Sequence, residues 1–321
     1  MKRLLSLVLL AAAAGCGDSA SPDSTDPMGG GALLAHLEFL ADDSLYGRGS
    51  TTPQEDEAAA YIAGKFVEYG LEPGAGDGYI QEFWLGINPG TGPQSQNVLG
   101  VLPGAGQLSA EWIVVGAHYD HVGWHQFPDS VVIYNGADDN ASGTAMLLEA
   151  ARYFGELYSN ATSDNRRSMM FQAYGAEELG LHGSYYFCNN PTVPMSSVAA
   201  MVNMDMVGRM EGSQLYLNGA FSLNAWRFII GANNDDLQLV YVDDVLYRTD
   251  HVCFWEAGRP IMTFHTGLHE DYHEPTDDVE LINLEGMVRI GNLVLGVLDD
   301  VAHFQEQMGF TAAEVALAPL H

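Results

Sequence analysis

Positive charge is what this chain lacks most. Twelve Lys and Arg stand against 42 Asp and Glu, for a formal net charge of −30. So acidic a surface repels nucleic acid and anionic membrane, and it attracts cationic groups and metal ions. It also serves plain solubility, so it excludes partners without naming a reaction. Cysteine is almost absent: there are three, and Cys16 lies ahead of the folded domain, leaving Cys188 and Cys253 within it. Those two either pair in an oxidising compartment or stand as separate thiols, and the sequence gives no geometry to decide. There is no internal repeat, and the stretch between Gly31 and His118 has no room for an inserted domain. The 321 residues, 47% of them apolar, are ample for one large core.

The start of the chain stands apart. Lys2 and Arg3 precede an apolar run over 4–10 and small residues over 11–15, ending at Cys16. This is the pattern of an export signal, too short for a spanning helix. Cys16 after Ala13-Ala14-Gly15 is similar to a bacterial lipobox, although Ala13 stands where that pattern favours Leu. The expectation is a signal over 1–15, lipid modification of Cys16, and membrane attachment through that anchor alone. The alternative is an ordinary secretory signal cut nearby. Residues 16–31, rich in Ser, Asp, Pro and Gly, read as a disordered tether. Residues 32–306 are then the folded domain and 307–321 a tail.

Within the domain, strand and helix patterns alternate, which points to a single α/β domain. Its central sheet is expected to be mixed, mostly parallel, and flanked by helices. Helices are expected over 32–40, 53–69, 143–154, 223–230, 250–257 and 281–304, with a short one through Tyr185 and Phe187. Strands are expected over 79–85, 96–102, 112–115, 168–174, 198–206, 214–217, 238–242 and 260–264. Residues 116–143 hold two groups of ligand-type side chains around a loop. His118 and Asp120 follow the apolar strand Trp112-Ile113-Val114-Val115. Asp138 and Asp139 precede a helix. Carboxyl ends of strands are where open α/β sheets build their sites.

Further candidates end predicted strands: the pair Glu177 and Glu178, then Asp205, then His273. Each alone is weak, since a His-x-Asp or a Glu-Glu pair is usually a solvated edge. Asp205 is the exception, because a carboxylate between Met204 and Met206 in an apolar strand is costly unless paired or coordinated. Together, two imidazoles and three carboxylates make a sensible ligand set for two Zn²⁺ sharing one carboxylate. The acids Asp139, Glu177, Glu178 and Asp205 would repel one another without cations.

The segments HYDH, GADDNASG, YGAEELG, NMDMVG and TGLHEDYHEPTDD, in that order, resemble the M28 family of co-catalytic zinc aminopeptidases, over roughly residues 32–304. The resemblance implies that His118 and Asp205 hold one zinc and that Glu178 and His273 hold the other. Asp139 would bridge the two, and Asp120 would orient His118. Glu177 would be the general base. Either Tyr272 or Tyr247 would support the oxyanion. The substrates would be peptides with a free amino terminus. His121, His125, His251, His265 and His269 are left as non-ligands. Thr249-Asp250-His251 departs from the family's usual Ser-Asp-His. Three rivals are weighed beside this one. A glutaminyl cyclase would use one zinc. A carboxypeptidase would need a basic group for the substrate carboxylate, and no arginine is placed by a motif. A receptor-like relative would have lost its metals.

Overall fold

The computed structural model describes residues 27–86, 90–159, 165–306 and 308–311. The leader, Cys16, most of the tether and most of the tail lie outside them. The strands are β1 (Glu72–Pro73), β2 (Ile80–Trp84), β3 (Gln94–Leu102), β4 (Trp112–His118), β5 (Gly123–Gln126), β6 (Val131–Tyr134), β7 (Ser168–Tyr174), β8 (Val198–Met204), β9 (Gln214–Asn218), β10 (Gln238–Val242) and β11 (Ile261–His265). Among the described residues nine of them form one sheet, ordered β1-β3-β7-β4-β8-β11-β9-β10 with β2 also on β3. The central block β7-β4-β8-β11 is parallel, and β3, β2 and β1 add antiparallel pairings. β11 pairs antiparallel with β9, and β9 parallel with β10. The sheet is therefore mixed, with the parallel core that the alternating pattern predicts.

That order positions the site. The chain leaves β4, crosses to β7 on one side, then returns to β8 on the other. A crevice opens at the carboxyl end of β4, where the connections diverge. The helices are α1 (Gly30–Leu40), α2 (Pro53–Glu68), α3 (Gly143–Tyr158), α4 (His182–Asn189), α5 (Trp226–Asn233), α6 (Val252–Glu256) and α7 (Leu284–His303). α1, α2, α3, α5 and α7 contribute to the larger buried cluster, in which Phe66, Phe154, Phe171, Trp226 and Ile290 are fully enclosed. α4 and α6 contribute to a smaller cluster with Val114, Phe187 and Phe254. β4, buried apart from Trp112, reads as a continuous apolar run because both faces are covered.

Local chemistry sets the boundaries. Thr52 caps α2 by accepting the Glu55 N–H, with Pro53 in the first turn. Asn283 caps α7 by accepting the Gly286 N–H, so that helix begins at Leu284 rather than 281. β8 stops at Met204 rather than 206, because Met206 turns to φ 56 just past Asp205. α5 starts at Trp226 rather than 223, since a tight turn at Ala220–Ser222 comes first. The hairpin β5–β6 departs from the expected loop. Its strands are exposed or half-buried except at Gly123, and its turn is closed by the Phe127 N–H on the Ser130 carbonyl. Cys188 and Cys253 are joined, with Cα atoms 6.1 Å apart, tying α4 to α6. A bond of this kind persists in oxidising compartments. No helix among the described residues is long and apolar enough to cross a membrane.

Candidate active site

Strand ends of the parallel block deliver the ligand-type side chains. His118 closes β4, Glu177 and Glu178 follow β7, Asp205 follows β8, and His273 stands in the loop after β11. Asp139 comes from the turn Ala137–Ser142 that opens α3. His118 Nε2 lies 3.3 Å from Asp139 Oδ1 and 3.6 Å from Asp205 Oδ1. His273 Nε2 lies 3.0 Å from Asp139 Oδ2 and 3.2 Å from Glu178 Oε2. One oxygen of Asp139 thus faces each group. Two candidate metal groups result, His118–Asp139–Asp205 and His121–Asp139–Glu178–His273, each with ligand atoms within 4.8 Å of one another.

The second group holds a residue that the motif reading leaves out. His121 is buried, and its Nδ1 lies 2.9 Å from Glu178 Oε1 and 3.9 Å from Asp139 Oδ2. The signal for it is the last letter of HYDH, one residue beyond Asp120. The other histidines stay out of both groups. His251 bonds Thr263 at 2.7 Å, and burial lowers its pKa to about 4. His269 meets Asp138 at 3.1 Å, and His265 stacks on Tyr216. His125 sits exposed in the hairpin.

The charge balance inside the cluster shows what it favours. Burial acts to lower the pKa of His118, yet Glu177, Asp139 and Asp205 outweigh it and the net shift is well upward. His273 is raised to about 10 by its contacts with Asp139 and Glu178. Burial acts to raise Glu178, but His121 and His273 bring it down to about 2. Asp139 is likewise lowered, with His118 and His273 overcoming burial. In all four the carboxylates demand positive charge where the ligand atoms converge. Bound cations would satisfy the same demand. Glu177 behaves differently. Burial pushes its carboxyl well above the ordinary range, His118 opposes, and Asp250, Asp205 and Asp120 add to the rise.

Several side chains outside the ligand set hold the loops in place. Asp120 Oδ1 accepts the Glu177 N–H at 3.0 Å, and Oδ2 accepts the Glu178 N–H at 3.3 Å and the Ser50 hydroxyl at 2.6 Å. Its carboxylate is 3.9 Å from His118 Nδ1, whereas its backbone carbonyl is at 3.2 Å. Asp120 therefore anchors the Glu177–Glu178 backbone at least as directly as it touches His118. Asp277 accepts the N–H groups of Asp138 and Asp139 at 2.9 and 3.1 Å. Asn140 donates to the Met204 carbonyl and accepts the Met206 N–H, joining the Asp139 turn to the end of β8. Gly136 lies at φ +57, and a Cβ there would fall 2.2 Å from the Asp139 carbonyl and 2.5 Å from the His121 ring. Only glycine fits that place.

Arg48 carries no motif signal, yet it underpins the site. Its fully buried guanidinium donates to the carbonyls of Leu40 and Tyr119 at 2.7 Å, Asn135 at 2.5 Å and Gly136 at 3.0 Å. Burial lowers its pKa to about 10, with Asp120 and Asp139 opposing. Removing the side chain leaves buried acceptors without donors. Arg48→Ala is expected to cost about 3 kcal/mol or more, read as a lower denaturant midpoint at unchanged slope. A loss below about 1 kcal/mol would show that water replaces it.

Beside the cluster lies a cleft of about 240 Å³ lined by His118, Asp139, Glu177, Asp205, Arg248 and Tyr272, among others. Tyr272 stacks on the His273 ring at 3.9 Å between centroids. Tyr247 is exposed and does not line this cleft.

Two candidate metal groups sharing one carboxylate, at the carboxyl ends of the parallel block of strands, fit a binuclear metal centre. The model of peptidase family M28 matches residues 97–298, and the chain belongs to that family. Aminopeptidase YwaD of Bacillus subtilis (strain 168) is 28% identical over 89% of this chain and 69% of its own length. Leucine aminopeptidase 1 of Uncinocarpus reesii is 27% identical over 64% of this chain and 54% of its own length. In structure the chain is similar to BSAP, a zinc aminopeptidase from Bacillus subtilis, with a TM-score of 0.66 and 19% identity, covering 88% of this chain and 97% of that one. It is nearly as similar to the glutaminyl cyclase of Porphyromonas gingivalis, with a TM-score of 0.64 and 19% identity over 86% and 99%. The fold is common to both kinds of enzyme and does not choose between them.

Proposed function

We propose that this protein removes the N-terminal residue from peptides with a free amino terminus, using two Zn²⁺ ions and Glu177 as general base. The observation that carries the reading is the split of Asp139, one oxygen toward His118 and the other toward His273. A cyclase with a single zinc has no need of the second complete group. Imidazole and carboxylate donors suit zinc. His118, Asp139 and Asp205 would hold one ion, and Asp139, Glu178 and His273 the other, with His121 a further donor to the second. When bound, the ions supply Lewis acidity toward the scissile carbonyl and make water more acidic.

The rest falls to side chains. Glu177, half-buried in the cleft lining, takes a proton from the attacking water and returns it to the leaving amine. Asp120 holds the Glu177 backbone and so fixes where its carboxylate points. Tyr272 donates its hydroxyl to the developing oxyanion, the role for which Tyr247 is worse placed. The substrate's ammonium meets the acidic cleft wall.

The domain reading belongs to the same proposal: a signal over 1–15, a tether from 16, a peptidase domain to 306 that already includes the start of α1 at Gly30 rather than beginning at 32, and a tail over 307–321. The protein is exported and lipid-anchored at Cys16 in the cell envelope. The test of the activity is a pair of substrates, leucyl anilide and its N-acetyl form. Release from the free amine alone supports the aminopeptidase. Cleavage of acetylated peptides from their carboxyl end would identify a carboxypeptidase. Conversion of a Gln-peptide to its cyclic form without hydrolysis would identify a cyclase.

A further inference from the structure

Arginine is scarce in this chain, and nearly every one among the described residues is engaged by the protein itself. Arg152, Arg167, Arg209, Arg227 and Arg289 meet carboxylates. Arg48, Arg166 and Arg259 meet backbone carbonyls. Arg248 differs: only its backbone N–H is bonded, to the Leu246 carbonyl, and its side chain has no hydrogen bond or ion pair among the described residues. It is exposed, and it lines the same cleft as His118, Glu177 and Asp205. Leu246, Leu268 and Met206 line that cleft too. Among the described residues, the cleft lining thus combines apolar side chains with an uncommitted cation.

The setting gives that cation meaning. A chain of net charge −30 repels anions from its surface. A guanidinium left without a partner in the cleft is a local reversal, and its planar fork matches a carboxylate in two-point contact. We propose that Arg248 recognises a substrate carboxylate close to the scissile bond, and so sets specificity toward peptides that carry one there. The carboxylate belongs either to an acidic side chain on the N-terminal residue or to the free terminus of a dipeptide. The inference rests on the aminopeptidase reading, and it narrows the substrate class.

The test compares kcat/KM for glutamyl and lysyl anilides, and for Leu-Gly and its amide, on the zinc-loaded protein. The glutamyl anilide, or the dipeptide with its free terminus, is expected to be favoured roughly 10- to 100-fold. The pair that shows the preference names the source of the carboxylate. Arg248→Gln is expected to bring that ratio toward parity, and Arg248→Glu to reverse it. Dissociation constants for the same compounds on Glu177→Gln protein should follow the same order. If the wild type cleaves leucyl anilide but favours neither carboxylate-bearing compound, or the ratio survives in Arg248→Gln, the inference falls and the aminopeptidase stands. If no free-amine substrate is cleaved at all, both fall together.

Discussion

Glu177→Gln is expected to lower kcat by about 10³-fold or more while both metals stay bound. The amide keeps the shape of the side chain and removes its basicity. No ligand is lost, because Glu177 belongs to neither group of converging donors. The backbone contact with Asp120 also survives, since it is made by the Glu177 N–H rather than the carboxylate. Steady-state hydrolysis of leucyl anilide, paired with metal content by elemental analysis, separates the cases. Lost turnover at full metal content supports the role. Full turnover would move the proton transfer to another group. Lost metal would make Glu177 a ligand instead.

Asp139→Asn should produce the opposite pairing, a loss of metal together with activity. The carboxylate serves both groups through separate oxygens, and its neighbours are placed for an anion: His118 Nε2 at 3.3 Å and His273 Nε2 at 3.0 Å. An amide presents one oxygen and one NH₂ group, so it cannot accept from both sides. Metal affinity is expected to fall at least about 100-fold, since changes to groups that merely support ligands already cost roughly 10- to 100-fold. Stabilisation by added zinc should shrink accordingly, because a ligand stabilises the folded state by mass action. Asp138→Asn, one residue earlier, is the control. Asp138 accepts the Gly208 N–H and meets His269, outside both groups. A variant at Asp139 that still binds two ions with near-normal affinity would contradict the bridging role.

The candidate metal groups are legible in the sequence because the fold repeats one device. An apolar strand of the parallel block ends, and a polar residue follows at the edge where strand ends collect. His118, Glu178 and Asp205 all follow it. Asp205 is visible for a second reason, as a carboxylate placed among apolar neighbours. What stays hidden depends on distance across the fold. Arg48 stands beside glycines in a loop, and nothing near it in sequence shows that carbonyls from distant segments converge on it. The pairing of Cys188 with Cys253, 65 residues apart, needs the meeting of α4 and α6. The hairpin β5–β6 escapes because exposed strands lose the alternation that marks a buried face. Arg248 stands immediately before Thr249-Asp250-His251, where the family resemblance gives it no role, and only the cleft it lines gives its free side chain a context.

A zinc titration of the chelated protein, followed by the rate of leucyl anilide hydrolysis, tests the two-metal site most directly. Two groups sharing Asp139 predict activity that returns and saturates near two ions per chain. Saturation at one ion would contradict the shared carboxylate. Uptake of two ions without hydrolysis of any free-amine substrate would leave the metal site standing and remove the aminopeptidase.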